Sequence, residues 1–250
     1  MKQKNDAFGQ EVMSYYKTGE GYEIVEKDDG FIGIGGYGPV GYFSEYKNWP
    51  KHEKEAIKFA KGKVLDIGCG AGRVALFLQN KGLEATGIDN SPLAIKVCKL
   101  RGLERVKVLS INQINKFKPN SFDTIIMFGN NFGLFSSLKK AKSLLKKMQG
   151  ITSDNALIIT ESKDPYITDE SSFREYHERN KKLGRIPGQM RLRVRFKNYI
   201  GDWFDYLMVS KNEMKEILKG TGWKVTKFID HEDKTKGVYI AIIEKLSKQG

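Results

Sequence analysis

From Lys63 onward, short runs rich in β-branched residues alternate with stretches whose apolar positions recur every three to four residues. That rhythm restricts the chain to an α/β architecture, a parallel sheet covered by helices. The spacing predicts strands at 64–67, 84–88, 106–109, 122–128, 156–161, 223–229 and 238–243, with helices over 72–81, 92–101, 134–149 and 210–219. In the third helix Leu138, Ala141, Leu144, Leu145 and Met148 form one stripe, while Lys139, Lys140, Lys142, Lys146 and Lys147 lie elsewhere. Residues 230–237, which join the last two strands, are too few for a helical crossover. The final strand should therefore run against the other six.

Two segments break the rhythm. Residues 1–62 precede the first strand and read as an N-terminal cap; residues 63–250 form the main domain, interrupted at 162–210 by an insertion expected to cap the substrate site. Inside the insertion Met190, Leu192, Val194 and Phe196 alternate with Arg191, Arg193, Arg195 and Lys197. A strict period of two marks a half-buried antiparallel strand. Residues 198–202 would turn the chain and 203–209 return it, giving a β-hairpin beside a helical piece.

Composition narrows the class. A chain of 250 residues that is 40% hydrophobic, with six prolines, can bury a real core. Its apolar runs are too short to cross a bilayer, and MKQKNDAFGQE lacks a secretory leader's apolar stretch. Two cysteines make neither a disulfide framework nor a four-thiolate zinc site, so a reducing cytoplasm is expected. The net charge of +13 is uneven: residues 1–60 carry 8 basic and 10 acidic side chains, whereas 61–160 carry 16 and 6. Such a charge keeps nucleic acid in view as a partner. Yet 34 of the 43 cations are Lys, which solvates surfaces more than it reads bases.

The stretch 64–78, VLDIGCGAGRVALFL, carries the chemistry. A strand ends in Asp66, Gly68, Cys69, Gly70 and Gly72, and a helix opens at Arg73. Glycines here let the backbone turn tightly and approach a ligand beside an electropositive helix start. The dinucleotide fingerprint G-x-G-x-x-G fails, because its third glycine position is Arg73. Asp66 also suits a cationic ligand better than a pyrophosphate. Asp89, 21 residues after Gly68 and followed by Asn90, ends the next strand, where a carboxylate can accept both ribose hydroxyls. S-adenosylmethionine combines ribose hydroxyls and positive charge with no pyrophosphate.

Residues 63–161 resemble the class I S-adenosylmethionine-dependent methyltransferases, whose D-x-G-x-G-x-G loop matches Asp66, Gly68, Gly70 and Gly72 and whose ribose-binding acid matches Asp89. The resemblance implies a Rossmann-like, doubly wound sheet of seven strands in the order 3-2-1-4-5-7-6 with strand 7 antiparallel. It also implies S-adenosylmethionine as cofactor and S-adenosylhomocysteine as product. Cys69, Arg73 and Asn90 would complete the cofactor loop, Ile111 with Asn112 or Gln113 would border the adenine, and Phe128, Gly129 and Asn130 would lie near the methyl. Residues 1–62 and 162–210 fall outside the resemblance. A second glycine run, Gly33-Ile34-Gly35-Gly36-Tyr37-Gly38, fits G-x-G-x-x-G on paper, but Pro39 and Gly41 follow where a helix should begin. It reads as a loop. Tyr42, Phe43, Tyr46 and Trp49 beyond it read as packing of the cap, with closure over the cofactor as the alternative.

The ends of strands 122–128 and 156–161 should flank the transferred methyl. Family members that methylate amide or exocyclic amino nitrogens carry a D/N/S-P-P-Y/F motif after the fourth strand. This chain has Asn130-Asn131-Phe132 instead. It also lacks the cysteine pair of cytosine-carbon methylation: Cys69 and Cys98 read as packed thiols. Candidate bases are Glu161 and His177; candidate substrate contacts are Asn131, Tyr166 and Arg193. Carboxylates at the strand ends are too few for a metal, so none is expected. The expected function is methyl transfer to an oxygen or nitrogen of a small molecule. The alternatives are an RNA or protein methyltransferase, or a non-catalytic cofactor- or RNA-binding module. No membrane partner is expected, and the sequence specifies no oligomeric state.

Overall fold

The computed structural model describes residues 5–34, 38–167 and 171–246. In chain order the elements are α1 (Ala7–Thr18), β1 (Ile24–Lys27), β2 (Ile32–Ile34), α2 (Gly38–Tyr42), α3 (Lys51–Ala56), β3 (Lys63–Ile67), α4 (Arg73–Asn80), β4 (Glu84–Asp89), α5 (Pro92–Leu100), β5 (Arg105–Val108) and β6 (Phe122–Met127). There follow α6 (Leu138–Ile151), β7 (Thr152–Lys163), α7 (Ser171–Lys182), β8 (Gln189–Phe196), β9 (Tyr199–Ile200), β10 (Phe204–Leu207), α8 (Lys211–Leu218), β11 (Trp223–Asp230) and β12 (Val238–Lys245).

The larger sheet has the order β11-β12-β7-β6-β3-β4-β5. Pairs from β7 to β5 are parallel, and β12 is antiparallel to both its neighbours. Numbered along the chain these seven strands run 3-2-1-4-5-7-6 with the seventh reversed, as the resemblance implies. Its central strands are buried on both faces, which is why they read as unbroken apolar runs: Ile125, Ile126 and Met127 are all fully buried. One cluster, including Leu65, Ile125, Leu145 and Trp223, fills one side; another, including Val64, Val74, Ile126 and Ile240, fills the other.

Several predicted boundaries move; the strand expected over 156–161, for one, spans Thr152–Lys163 and so takes in the first two residues of the expected insertion. The third helix begins at Leu138, because Asn130 (φ 64) and Ser136 (φ 67) bracket a separate 3-10 turn and Ser137 caps the helix by accepting the Lys140 N–H. A short helix, α2, also begins at Gly38 despite Pro39, whose ring is tolerated in a first turn. Residues 35–37 of the second glycine run lie outside the described residues. The strand before it, β2, belongs to an antiparallel hairpin and not to a parallel β-α-β unit.

The second sheet joins the two segments that break the rhythm. Its order is β10-β8-β1-β2, with β9 on β8, so residues 24–27 pair directly with 192–195. Val25 lies opposite Val194, and Glu26 opposite Arg193. One face packs Met190 and Leu192 against Tyr176 of α7, with Val25 and Tyr206 beside them. The other face carries ions: Arg193 grips Glu26 through two 2.7 Å contacts, Arg195 joins the same carboxylate, and Arg191 meets Asp205 at 3.5 Å.

Candidate active site

The loop after β3 is shaped by two glycines with different duties. Gly68 (φ +72) lies so close to the chain after β6 that a Cβ there would sit 2.6 Å from Asn131 Nδ2. That amide donates to the carbonyls of Ile67 (3.1 Å) and Gly68 (3.0 Å), tying two strand ends together. Gly70 (φ +54) is different: a Cβ there would meet only the ring of Phe8, at 3.6 Å. The loop at Gly70 is therefore open to a ligand beneath α1, and its conformation disfavours any residue with a side chain.

Asp89 closes the other side. Its carboxylate accepts the N–H of Gly70 at 3.1 Å and of Ser91 at 2.9 Å, and burial raises its pKa to about 6. An ionised carboxylate has roughly four acceptor positions, so capacity remains for ribose hydroxyls. Asp66 is also buried, and burial lifts its pKa to about 7 against the pull of Arg73. At the end of β6, Gly129 has open space where a Cβ would point, and the buried Oδ1 of Asn130 has no hydrogen-bond partner. Open glycines, a carboxylate with spare capacity and an orphaned acceptor fit a ribonucleoside lying across the strand ends.

Glu161 and Asn130 meet there. Asn130 N–H donates to Glu161 Oε1 at 2.8 Å, and Tyr206 Oη donates to the Asn130 carbonyl. The second Glu161 oxygen faces His52 Nε2 at 3.5 Å; His52 Nδ1 faces Glu232 at the same distance. Burial opposes the His52 cation, but Glu161, with Glu53 and Glu232, outweighs it and raises the pKa. His52, His231 and Glu232 bring potential ligand atoms within 4.8 Å of one another, although His231 Nδ1 already accepts the Asp233 N–H.

Several expected contacts lie elsewhere. Arg73 turns away from the loop, because Glu53 takes its guanidinium in a buried fork at 2.6 and 2.7 Å, with Trp49 against its face. Arg193 is held on the outer face of the small sheet by Glu26, where it stacks on Trp203. Tyr166 is 56% exposed and donates to Glu213 on α8. His177 sits on α7 beside Phe173, and burial followed by Lys181 and Lys27 lowers its pKa. Asn131 is spent on the loop carbonyls. Cys69 lies 4.0 Å from Cys98, whose thiol meets the Gly70 carbonyl at 3.1 Å, so both are packing groups. Ile111 is buried; Gln113 is engaged in the Ser110 capping box, and Asn112 is exposed. Asn90 is exposed beside the buried Asp89.

The site also contains residues that motif reading missed: Glu11, Glu23, Tyr42, His52, Glu53 and Tyr206. One signal was legible. Glu11 interrupts the helical stripe Phe8, Val12 and Tyr15, and an acid on an apolar stripe is out of place.

Residues 64–154 match the family model described as a methyltransferase domain. The ubiquinone biosynthesis O-methyltransferase of Xanthomonas euvesicatoria is 34% identical over 74 residues, 28% of this chain and 31% of that enzyme. The corresponding enzyme of Paracidovorax citrulli is 36% identical over 69 residues, 25% of this chain and 29% of that one. The chain thus matches under a third of the length of these curated relatives. Over almost its whole length it shares the fold of an S-adenosylmethionine-dependent methyltransferase from Bacteroides fragilis, solved with S-adenosylhomocysteine: TM-score 0.82, 24% identity, 98% of this chain and 97% of that one. A methyltransferase from Methanosarcina mazei superposes with a TM-score of 0.61 at 20% identity, over 76% of this chain and 96% of that one. No helix among the described residues is long and apolar enough to cross a membrane. The matched domain, the seven-strand order and the glycine loop facing Asp89 agree: residues 64–154 carry a methyltransferase domain, and the chain has the fold of S-adenosylmethionine-dependent methyltransferases.

Proposed function

We propose that the chain binds S-adenosylmethionine between the Gly68–Gly72 loop and Asp89 and transfers its methyl group to an oxygen or nitrogen of a small molecule. The observation that carries this reading is the 3.1 Å contact joining Gly70 N–H to the Asp89 carboxylate, which sets an open turn beside a ribose acceptor. Asp89 takes the ribose hydroxyls, Ile111 and Asn112 border the adenine, and Phe128, Gly129 and Asn130 line the methyl edge. When bound, the cofactor supplies an electrophilic methyl on a sulfonium. The chain's own part is alignment and exclusion of water.

Glu161 acts as a positioning residue: with Asn130 N–H on one oxygen and His52 facing the other, it fixes the αL turn after β6. Segments 1–62 and 162–210 form the acceptor cap, since their shared sheet reaches the strand ends through Tyr206. A cap of this kind favours a small acceptor. The O-methyltransferase relatives favour an oxygen nucleophile. Arg191, Arg193 and Arg195 are matched by Asp205 and Glu26, which weakens the case for an RNA or protein acceptor. The test is S-adenosylhomocysteine formation from S-adenosylmethionine with separated fractions of a cell lysate. Turnover is expected with the small-molecule fraction; turnover confined to the RNA or protein fraction overturns the reading.

A further inference from the structure

Glu11 on α1 is 0% exposed, and neither carboxylate oxygen has a hydrogen-bond partner. Glu23, 8% exposed, lies near enough to raise its pKa further. Tyr42 Oη donates to Glu23 at 2.6 Å and also feels Glu11 and Tyr206. Tyr206 in turn holds the Asn130 carbonyl at the methyl edge. Phe8, one helical turn before Glu11, meets Tyr42 edge-on at 5.3 Å and covers Gly70. The acid pair therefore adjoins both the glycine loop and the end of β6.

Three other acids of the cap have cations, Glu26 with Arg193 and Arg195, Asp28 with Arg179 and Glu53 with Arg73, and the buried Asp6 accepts Gly9 N–H, Ser91 Oγ and Leu93 N–H. Among the described residues no ion pair reaches Glu11 or Glu23, in a chain with 43 Lys and Arg. Burying carboxyl groups without partners is costly, and a cation arriving with a ligand removes that cost. Aromatic rings around paired acids are the usual surroundings of a bound ammonium group.

We propose that Glu11 and Glu23, framed by Phe8, Tyr42 and Tyr206, form a subsite for an organic cation, the protonated amine of the methyl acceptor. This rests on the methyltransferase reading. A protonated nitrogen has no lone pair, so the amine anchors the acceptor while a different atom receives the methyl. Burial pushes the Glu11 carboxyl up to about 9, so it is protonated in the empty subsite at neutral pH and ionises when the amine enters. The cofactor's sulfonium and its α-ammonium are the other sources of the same chemistry.

The test uses protein loaded with S-adenosylhomocysteine and three probe pairs: tyramine against tyrosol, phenethylamine against phenylethyl alcohol, and hexylamine against hexanol. By calorimetry, at least one amine should bind roughly tenfold or more tightly than its alcohol, as expected for a charge-assisted hydrogen bond. Its binding should release up to about one proton per site at neutral pH. Glu11→Gln and Glu23→Gln should each remove most of that preference, and Glu11→Gln the proton release, with S-adenosylhomocysteine affinity unchanged. No amine preference in any pair, or a preference that survives both substitutions, overturns the subsite. If Glu11→Gln instead lowers affinity for S-adenosylmethionine relative to S-adenosylhomocysteine, the cation is the sulfonium; if it lowers both alike, the cation is the cofactor's α-ammonium; in either case the acceptor assignment fails. Failure of the wild-type protein to bind S-adenosylhomocysteine would sink the methyltransferase reading itself.

Discussion

The strand ends of the large sheet and the N-terminal segment above them both bury carboxylates, and they treat them differently. Asp89 sits in the sheet with two backbone N–H groups on its oxygens. Glu11, a short distance above the same loop, has none. Glu53 takes a third course, filled by the guanidinium of Arg73. The floor holds acids satisfied by the fold, with capacity to spare for a ligand. The roof holds both satisfied acids and one, Glu11, whose oxygens the fold leaves without a hydrogen bond.

Arg73 gives the largest expected effect. Arg73→Met would strand a buried Glu53, and removing one partner of a buried pair costs about 3–5 kcal/mol of stability. Urea unfolding should show that loss. A cofactor-binding Arg73 would instead lose affinity with little change in stability, which would break the assignment of this arginine to the scaffold.

Asp89→Ala comes next. S-adenosylhomocysteine should bind more weakly by roughly 1–3 kcal/mol, since ribose hydroxyls lose a charged acceptor. The pH dependence sharpens the same point. Burial raises Asp89 from 3.8 to about 6, so the folded protein holds that proton more tightly than the unfolded chain. The stability this provides is fully present below 3.8 and is lost as pH rises through 6. Ligand binding favours the ionised form, so affinity should be full above pH 6 and fall below it, and Asp89→Asn should flatten the curve. A smaller effect is expected at Glu26→Gln. It loosens two arginines on the outer face of the small sheet, and thermal unfolding should fall by less than for Arg73→Met, with cofactor affinity unchanged.

These regions also differ in how far the sequence exposes them. The floor is built from residues 66–91, neighbours along the chain, so a strand, a glycine turn and the next strand's terminal acid could be read directly, along with the reversed last strand. The roof is assembled by pairing 24–27 with 192–195, more than 150 residues apart. Alternation along Met190–Phe196 marks a half-buried strand but does not name Glu26 as its opposite. For the same reason Arg193 reads as free until Glu26 is found beside it. Tyr166 and Arg73 misled similarly: each lies next to a motif in sequence while its side chain turns to a partner from elsewhere, Glu213 and Glu53.

The central claim is that the open turn at Gly70 and the acid at Asp89 hold a ribonucleoside without a pyrophosphate. Titration calorimetry of S-adenosylhomocysteine and of NAD into the same protein tests it most directly, with Gly70→Val as the control. A Cβ at Gly70 meets only Phe8 at 3.6 Å, so the variant should strain the loop and fill the ligand's space while the fold persists. The account predicts saturable binding of S-adenosylhomocysteine to the wild-type protein, none of NAD, and loss of binding in Gly70→Val. Equal affinity for NAD, or S-adenosylhomocysteine binding undiminished in Gly70→Val, would contradict it.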